Sequence, residues 1–349
     1  MSVSETALQA ISSQAYAYGK PSITALYKQQ PSDFKVNEVL GFEPEPDEKG
    51  QHHWLYIEKT QLNTEQVARA LAQFVGIQAR QVSFSGMKDR QAVTQQWFSV
   101  ELPATQVVHW NEFALTGARI VQAVKCNRKL RRGTHKWNEF EIRLREVSDI
   151  PALLKRIEAI AVGVPNYFGE QRFGHHGSNL VKADGLFSGR RIKDRGLRGI
   201  VLSAARSFIF NQYVSARIQA FGHQPLAGDV MQLTGSHSYF VANPIDARVI
   251  SRLAERDIEI TGPMVGRGRP VAEAEALAFE QAQVTEYSAW VEGLERAGLE
   301  QSRRAIWLHP EQLHVAVEDT TVVLTFRLGT GSFATSVLRE IAQVREYTE

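Results

Sequence analysis

The chain of 349 residues contains a single cysteine, Cys126, so it has no intrachain disulfide and no thiolate-built zinc site. It lacks any apolar run near the roughly 20 residues needed to span a bilayer. The opening stretch Met1–Gln9 has neither the basic region nor the apolar region of a signal peptide. Fixed-period repeats and low-complexity tracts are absent, which excludes solenoids and collagen-like arrays. Charge of one sign is also missing: 40 Lys+Arg stand against 38 Asp+Glu, a net of +2. What remains is an ordinary globular composition, 43% hydrophobic and 22% charged, in a length suited to about two domains. A reduced, cytoplasmic chain with no membrane contact is expected.

Hydrophobic periodicity changes along the chain. Up to about residue 147 it reads as strands with a helix or two. Asn63-Thr64-Glu65-Gln66 offers a cap, followed by Val67, Ala70, Leu71 and Phe74 at helical spacing and a stop near Gly76. Val82–Phe84, Trp97–Leu102 and Asn138–Val147 alternate like strands, with Phe140, Ile142 and Leu144 on one face. Pro151 opens a further helix. From Gly163 to about Leu308 the pattern is mostly helical, with Gly- and Arg-rich loops. Strands return at His314–Val317 and Thr321–Leu328, and a last helix is expected from about Ser332 to Val344. A lone hairpin is marginal in water, so the last strands are expected to complete the first sheet around an insertion.

Three segments carry chemistry. In Ser85-Gly86-Met87-Lys88-Asp89-Arg90 a strand runs into a glycine turn and then a carboxylate beside a cation. A rigid loop between strands holds such a carboxylate well, and the cation keeps it ionised. Taken alone, so short a pattern marks a solvated turn more often than a site. In Lys125–Phe140 seven of sixteen residues are Lys, Arg or His, with Trp137 and Phe140 close by, a composition suited to phosphates and bases or to a solvated hairpin. Gly189–Arg198 carries Arg190, Arg191, Lys193, Arg195 and Arg198, and Arg267 and Arg269 add to this cationic surface. No Walker A pattern and no G-x-S-x-G elbow occur, and His52-His53 and His175-His176 lack metal-type spacing.

Five separated stretches then act together: Pro31–Val36; Gly86–Arg90 with Ala92-Val93-Thr94 and Gln96; Lys129–Arg131 with Gly133, Asn138 and Phe140; Asn166–Gly174; and Gly331–Glu340. In order and spacing they resemble the TruD family, the tRNA pseudouridine synthases D. The resemblance implies an α+β fold: a pseudouridine-synthase-type catalytic core with a mixed, mainly antiparallel sheet. A mostly helical α+β insertion (TRUD) domain interrupts it, giving residues 1–163, 164–307 and 308–349. It implies isomerisation of uridine to pseudouridine in tRNA, at uridine 13 of the D-arm in bacterial members. Asp89 matches the family's catalytic aspartate. Phe34, Asn138 and Phe333 match its substrate site, and Lys28 sits where the family has a basic partner for the aspartate. Cys126 stands where relatives commonly have histidine, and Trp137 where a small residue often precedes the asparagine.

Breaking the N1–C1′ bond and joining C5 to C1′ conserves every atom, so no redox cofactor, ATP or metal is expected. Asp89 can serve by attack at C1′, by addition to the uracil ring, or as the base of a glycal route. Phe34 or Phe140 can stack on an extruded base, and stacking worth about 1–3 kcal/mol per base roughly offsets extrusion. Asn138 offers both donor and acceptor to an imide edge or a ribose hydroxyl. Lys129, Arg131, Arg190, Arg191 and Arg195 are the expected RNA contacts, tRNA the expected partner and a monomer the default state. Two other classes stay open: a non-catalytic RNA binder, which has no use for Asp89 beside phosphates, and an enzyme of free nucleosides, against which the wide basic surface argues.

Overall fold

In a computed structural model, which describes residues 9–11 and 13–346, the period-two segments assemble into one mixed sheet. The Met1–Gln9 stretch, apart from Gln9, lies outside the described residues. The chain runs through β1 (Thr24–Tyr27), β2 (Phe34–Val39), β3 (His52–Thr60), α1 (Thr64–Phe74), β4 (Val82–Phe84), β5 (Val93–Glu101), β6 (Ala118–Cys126), β7 (Trp137–Leu144) and α2 (Ile150–Ala159). An interposed segment carries β8 (Val164–Pro165), α3 (Ser178–Phe187), α4 (Arg195–Phe221), β9 (Asp229–Leu233), β10 (Tyr239–Ala242), α5 (Ala247–Ala254), β11 (Ile258–Met264), α6 (Ala274–Thr285), α7 (Ser288–Arg296), β12 (Ser302–Ala305) and β13 (Trp307–Leu308). The chain then adds β14 (Glu311–Glu318), β15 (Thr321–Gly329), α8 (Ala334–Ile341) and β16 (Gln343–Glu346).

Two units result. One comprises Pro21–Ala161, Pro310–Ala334 and Ile341–Glu349. Its sheet has the order β14-β15-β7-β2-β5-β3-β6, with β4 on β5, and every pairing is antiparallel except β2 with β5. The last two strands thus join the first sheet through β15 and β7, as their marginal stability alone requires. Helix α1, closed by a capping box between Asn63 and Gln66, buries Val67 and Leu71 against Leu55, Ile57, Phe98 and Val100. Each such side chain contributes roughly 1.5–3 kcal/mol. The last helix stops at Ile341 instead of reaching Val344, because Gln343–Glu346 pair in parallel with β1 and their backbone groups bond there.

The other unit comprises Met1–Lys20, Val162–His309 and Thr335–Glu340. Its long helix α4, capped by Asp194 accepting from the Leu197 amide at 2.8 Å, packs Val201, Leu202, Ala205 and Ile209 against Val265 and Leu294. Beside the helices lies a four-stranded antiparallel sheet, β10-β9-β11-β12. Its strands of four to seven residues are too short to show a clear period in the sequence. Among the described residues, no helix is long and apolar enough to cross a membrane.

Candidate active site

The loop between β4 and β5 is pinned by polar groups from several strands. Gln96 Nε2 donates to the Gly86 carbonyl at 2.9 Å. The Lys88 amide donates to Thr64 Oγ1 at 3.0 Å, and that hydroxyl donates to Gln96 Oε1 at 2.9 Å. A Cβ at position 86 would meet Lys88 Nζ, Glu38 Oε1 and His135 Cε1 at 3.2–3.3 Å, so glycine suits this close approach. Lys59 Nζ donates to the main-chain carbonyls of Leu62 at 2.7 Å and of Asp89 at 2.9 Å.

Asp89 is set on this loop with its side chain 33% exposed, and Lys28 Nζ lies 2.9 Å from its Oδ2. Lys28, 5% exposed, also lies 3.5 Å from Glu346 Oε1, and its ammonium stands 4.5 Å from the centroid of the Phe34 ring. Tyr27 Oη donates to the same Glu346 oxygen at 2.9 Å. Lys28 has φ +55°, a left-handed conformation costing a non-glycine residue on the order of 1 kcal/mol. Phe34 is fixed by the residue before it. Asp33 is buried, takes both Nε and Nη2 of Arg145 at 2.7–3.1 Å, and accepts from the Gln30 amide at 3.1 Å. Burial pushes its carboxyl up, but these bonds prevail and hold it below the ordinary value.

Glu38 occupies the same face of β2 as Phe34, directly opposite Asn138 on β7. Register pairs Phe34 with Ile142, Val36 with Phe140 and Glu38 with Asn138. The Glu38 carboxylate is fully buried and accepts from Lys88 Nζ at 2.5 Å, from the Trp97 amide at 3.0 Å and from Ser85 Oγ. His135 Nδ1 is 3.9 Å away, and burial holds that imidazole below its usual pKa. Asn138 is buried, and its Oδ1 has no hydrogen-bond partner among the described residues. Phe140 lies between Phe34 (centroids 6.1 Å apart, edge-on) and Phe326 (5.3 Å, stacked), so both neighbours of its ring are protein aromatics. Phe333 is half-buried on the loop after β15, whose Leu328 pairs with Asn138.

The basic loop is anchored by Leu130, buried with Leu40, Trp54, Trp97 and Cys126. Lys129 and Arg131 are exposed, and Lys129 reaches Glu101 at 3.4 Å. Arg190, Arg191 and Arg195 are exposed on the other unit. Among the described residues no three His, Cys, Asp or Glu side chains converge as metal ligands.

Geometry therefore gathers Lys28, Phe34 and Asp89 directly. Asn138 is related to them through register, lying opposite Glu38, whose carboxylate holds Lys88 next to Asp89. Four participants escaped the sequence reading: Glu38, Lys59, Asp33 and Glu346. The first two did leave a signal, since each is a charge in phase with buried apolar neighbours, Phe34 and Val36 for Glu38, Leu55 and Ile57 for Lys59.

This sheet, with a carboxylate–lysine pair set under an aromatic ring, defines an α+β enzyme-like site. The family model for tRNA pseudouridine synthase D (TruD) matches residues 10–184 and 189–341. Proteins named tRNA pseudouridine synthase D are similar over nearly the whole length. The Aeromonas hydrophila protein is 44% identical, covering 95% of this chain and 94% of its own. That of Legionella pneumophila is 43% identical (94% and 97%), and that of Shewanella oneidensis 41% (96% and 90%). A solved structure from Methanosarcina mazei, provisionally named tRNA pseudouridine synthase D, superposes with a TM-score of 0.73 at 19% identity, covering 99% of both chains, and shares the fold. The chain belongs to the tRNA pseudouridine synthase D family.

Proposed function

We propose that this protein isomerises uridine to pseudouridine in tRNA, at uridine 13 of the D-arm, with Asp89 as the catalytic carboxylate. Family membership supports the reaction. The single observation that carries the assignment of Asp89 is its 2.9 Å pairing with Lys28, whose ammonium also faces the Phe34 ring. Such a pair fixes one carboxylate oxygen and leaves the other for the substrate. Attack at C1′, addition to uracil and removal of the 2′ proton all ask for the same thing, an anionic oxygen held still beside the sugar.

Asn138 Oδ1 suits the imide N–H of the extruded base, an acceptor otherwise left unpaired at a cost of about 1–3 kcal/mol. Phe34 and Phe333 serve as apolar walls for that base, with Phe140 backing Phe34. Lys129 and Arg131 on one unit, and Arg190, Arg191 and Arg195 on the other, are read as backbone contacts. Arg195 and Arg198 stand in the first turn of α4, where the helix dipole favours an anion, so phosphate is the better neighbour there.

The test is incubation with unmodified tRNA transcripts followed by mapping of pseudouridine. Wild-type protein is expected to modify position 13, and Asp89→Asn to form no product while binding tRNA nearly as well. Product from the Asn variant at the wild-type rate, or modification elsewhere only, overturns the reading.

A further inference from the structure

Lys59 is the second lysine that holds Asp89, and nothing about its surroundings is ordinary for a lysine. Its side chain is fully buried, on the inward face of β3 with Leu55 and Ile57. Its cross-strand neighbours are Thr94 on β5 and Ala118 on β6, both neutral. Among the described residues no carboxylate lies within ion-pair distance of the ammonium, which instead donates to the main-chain oxygens of Leu62 and Asp89. A methionine would fill the same space without desolvating a charge. What the ammonium adds is a grip on the peptide carbonyl of Asp89, on a loop that has no ladder bonds of its own from Gly86 to Ala92.

We infer that Lys59 is a positioning residue for the reaction, clamping the Asp89 main chain from inside the sheet while Lys28 clamps the side chain, and placing a buried positive charge behind the carboxylate. This rests on the proposed role of Asp89. The two lysines act at opposite ends of one residue, so the carboxylate has no free rotation of its peptide to drift on. A displacement of about 1 Å at a reacting atom costs on the order of 100-fold in rate.

The charge also titrates in an accessible range. Burial brings Lys59 down from 10.5 to about 8; Asp89 pushes it up and Lys88 pushes it down. Those two are the charged groups that face it, and they are paired in turn with Lys28 and Glu38. Opposite Lys59 on β5 and β6 stand Thr94 and Ala118, neither of which titrates, and the one acidic residue of the first turn of α1, Glu65, is exposed. A neutral amine still has two N–H donors, so both carbonyls stay bound above that pH while the charge is lost.

The experiment measures kcat and KM on a tRNA transcript between pH 6.5 and 9.5 for the full-length wild-type protein and Lys59→Met, with unfolding followed on both. In the wild type, kcat is expected to fall through an inflection near pH 8. In Lys59→Met, kcat is expected to be at least about tenfold lower at pH 7, with KM within about twofold and the inflection gone. A Met variant with kcat within twofold of wild type overturns the inference, as does one whose residual activity keeps the inflection, the mark of a merely structural role. Should the variant fail to fold, the wild-type profile decides alone: a flat kcat from pH 7 to 9 overturns it. A wild type that modifies no transcript refutes the proposed function before Lys59 is in question.

Discussion

The Gly133 amide donates to the Ser85 carbonyl at 2.8 Å, tying the basic loop to the loop that carries Asp89. Two segments 48 positions apart in the sequence thus share one backbone bond, and the cations of the first are held in register with the carboxylate of the second. Gly133 has φ +76°, and a Cβ there would meet nothing within 4 Å. Gly133→Ala should therefore cost about 1 kcal/mol of stability from backbone strain alone and leave turnover near wild type. Gly133→Pro removes the N–H and, with φ locked at about −65°, also forces the backbone out of the +76° conformation, so its stability and kcat should both fall well below those of the alanine variant. Thermal unfolding and single-turnover rates on tRNA are compared for both variants; a proline variant as active as the alanine one would show that the bond does not couple the loops.

Glu38 and Lys88 form a buried pair, with side chains 0% and 8% exposed. Glu38→Leu leaves an ammonium without its counter-ion and is expected to cost about 3–5 kcal/mol. The double change Glu38→Leu with Lys88→Met removes both charges and should regain more than half of that loss. Ser85 Oγ and the Trp97 amide keep the recovery incomplete, since each loses its acceptor. Urea unfolding of the four proteins gives the coupling, and additive losses would refute it.

Lys28→Met removes the cation from Asp89 while keeping the stem against Phe34 and Tyr27. Turnover should drop by about 100-fold, in line with loss of one preorganised donor, and tRNA affinity should change little. A variant that loses affinity and keeps kcat would place Lys28 in RNA binding instead.

Much of this site could be read before its geometry was known. The glycine turn before Asp89, the alternation of β7 that sets Asn138 in phase with Phe140 and Ile142, and the cap of α1 are all local patterns. The parity of Glu38 and Lys59 was equally local, though a charge on an apolar face is easily taken for an end of the strand. Glu346 is different. It reaches Lys28 only because β16 pairs with β1, a contact between residues 24–27 and 343–346 with no trace in either segment alone. The short sheet of the interposed unit was hidden because its strands of four to seven residues carry too little period to read, and two of its three pairings join distant segments.

Reversing Arg190, Arg191 and Arg195 to glutamate tests the exposed cations of the other unit. Each lost phosphate contact should reduce the slope of log affinity against log salt by roughly 0.7–0.9. Three contacts would flatten it by about 2–3, with kcat on saturating tRNA preserved. Filter binding from 50 to 300 mM salt is the measurement, and an unchanged slope would mean that this loop does not meet RNA.

Acid stability of that unit should depend on His309. Burial, followed by the charges of Arg256 and His223, brings its imidazole down from 6.5 to about 4. It fits against Gly163, where a Cβ would stand 2.8 Å from Cε1. Because the folded-state pKa lies below the unfolded value, the unfolded chain binds the extra proton first. Stability is therefore whole above about pH 6.5 and is lost as the pH falls from there towards 4, by on the order of 2–3 kcal/mol. His309→Gln has no proton to take up, so its loss over the same interval should be smaller by that amount. Urea unfolding of both full-length proteins at pH 7 and pH 4.5 reads the difference directly, and equal losses would show that folding does not shift the His309 titration.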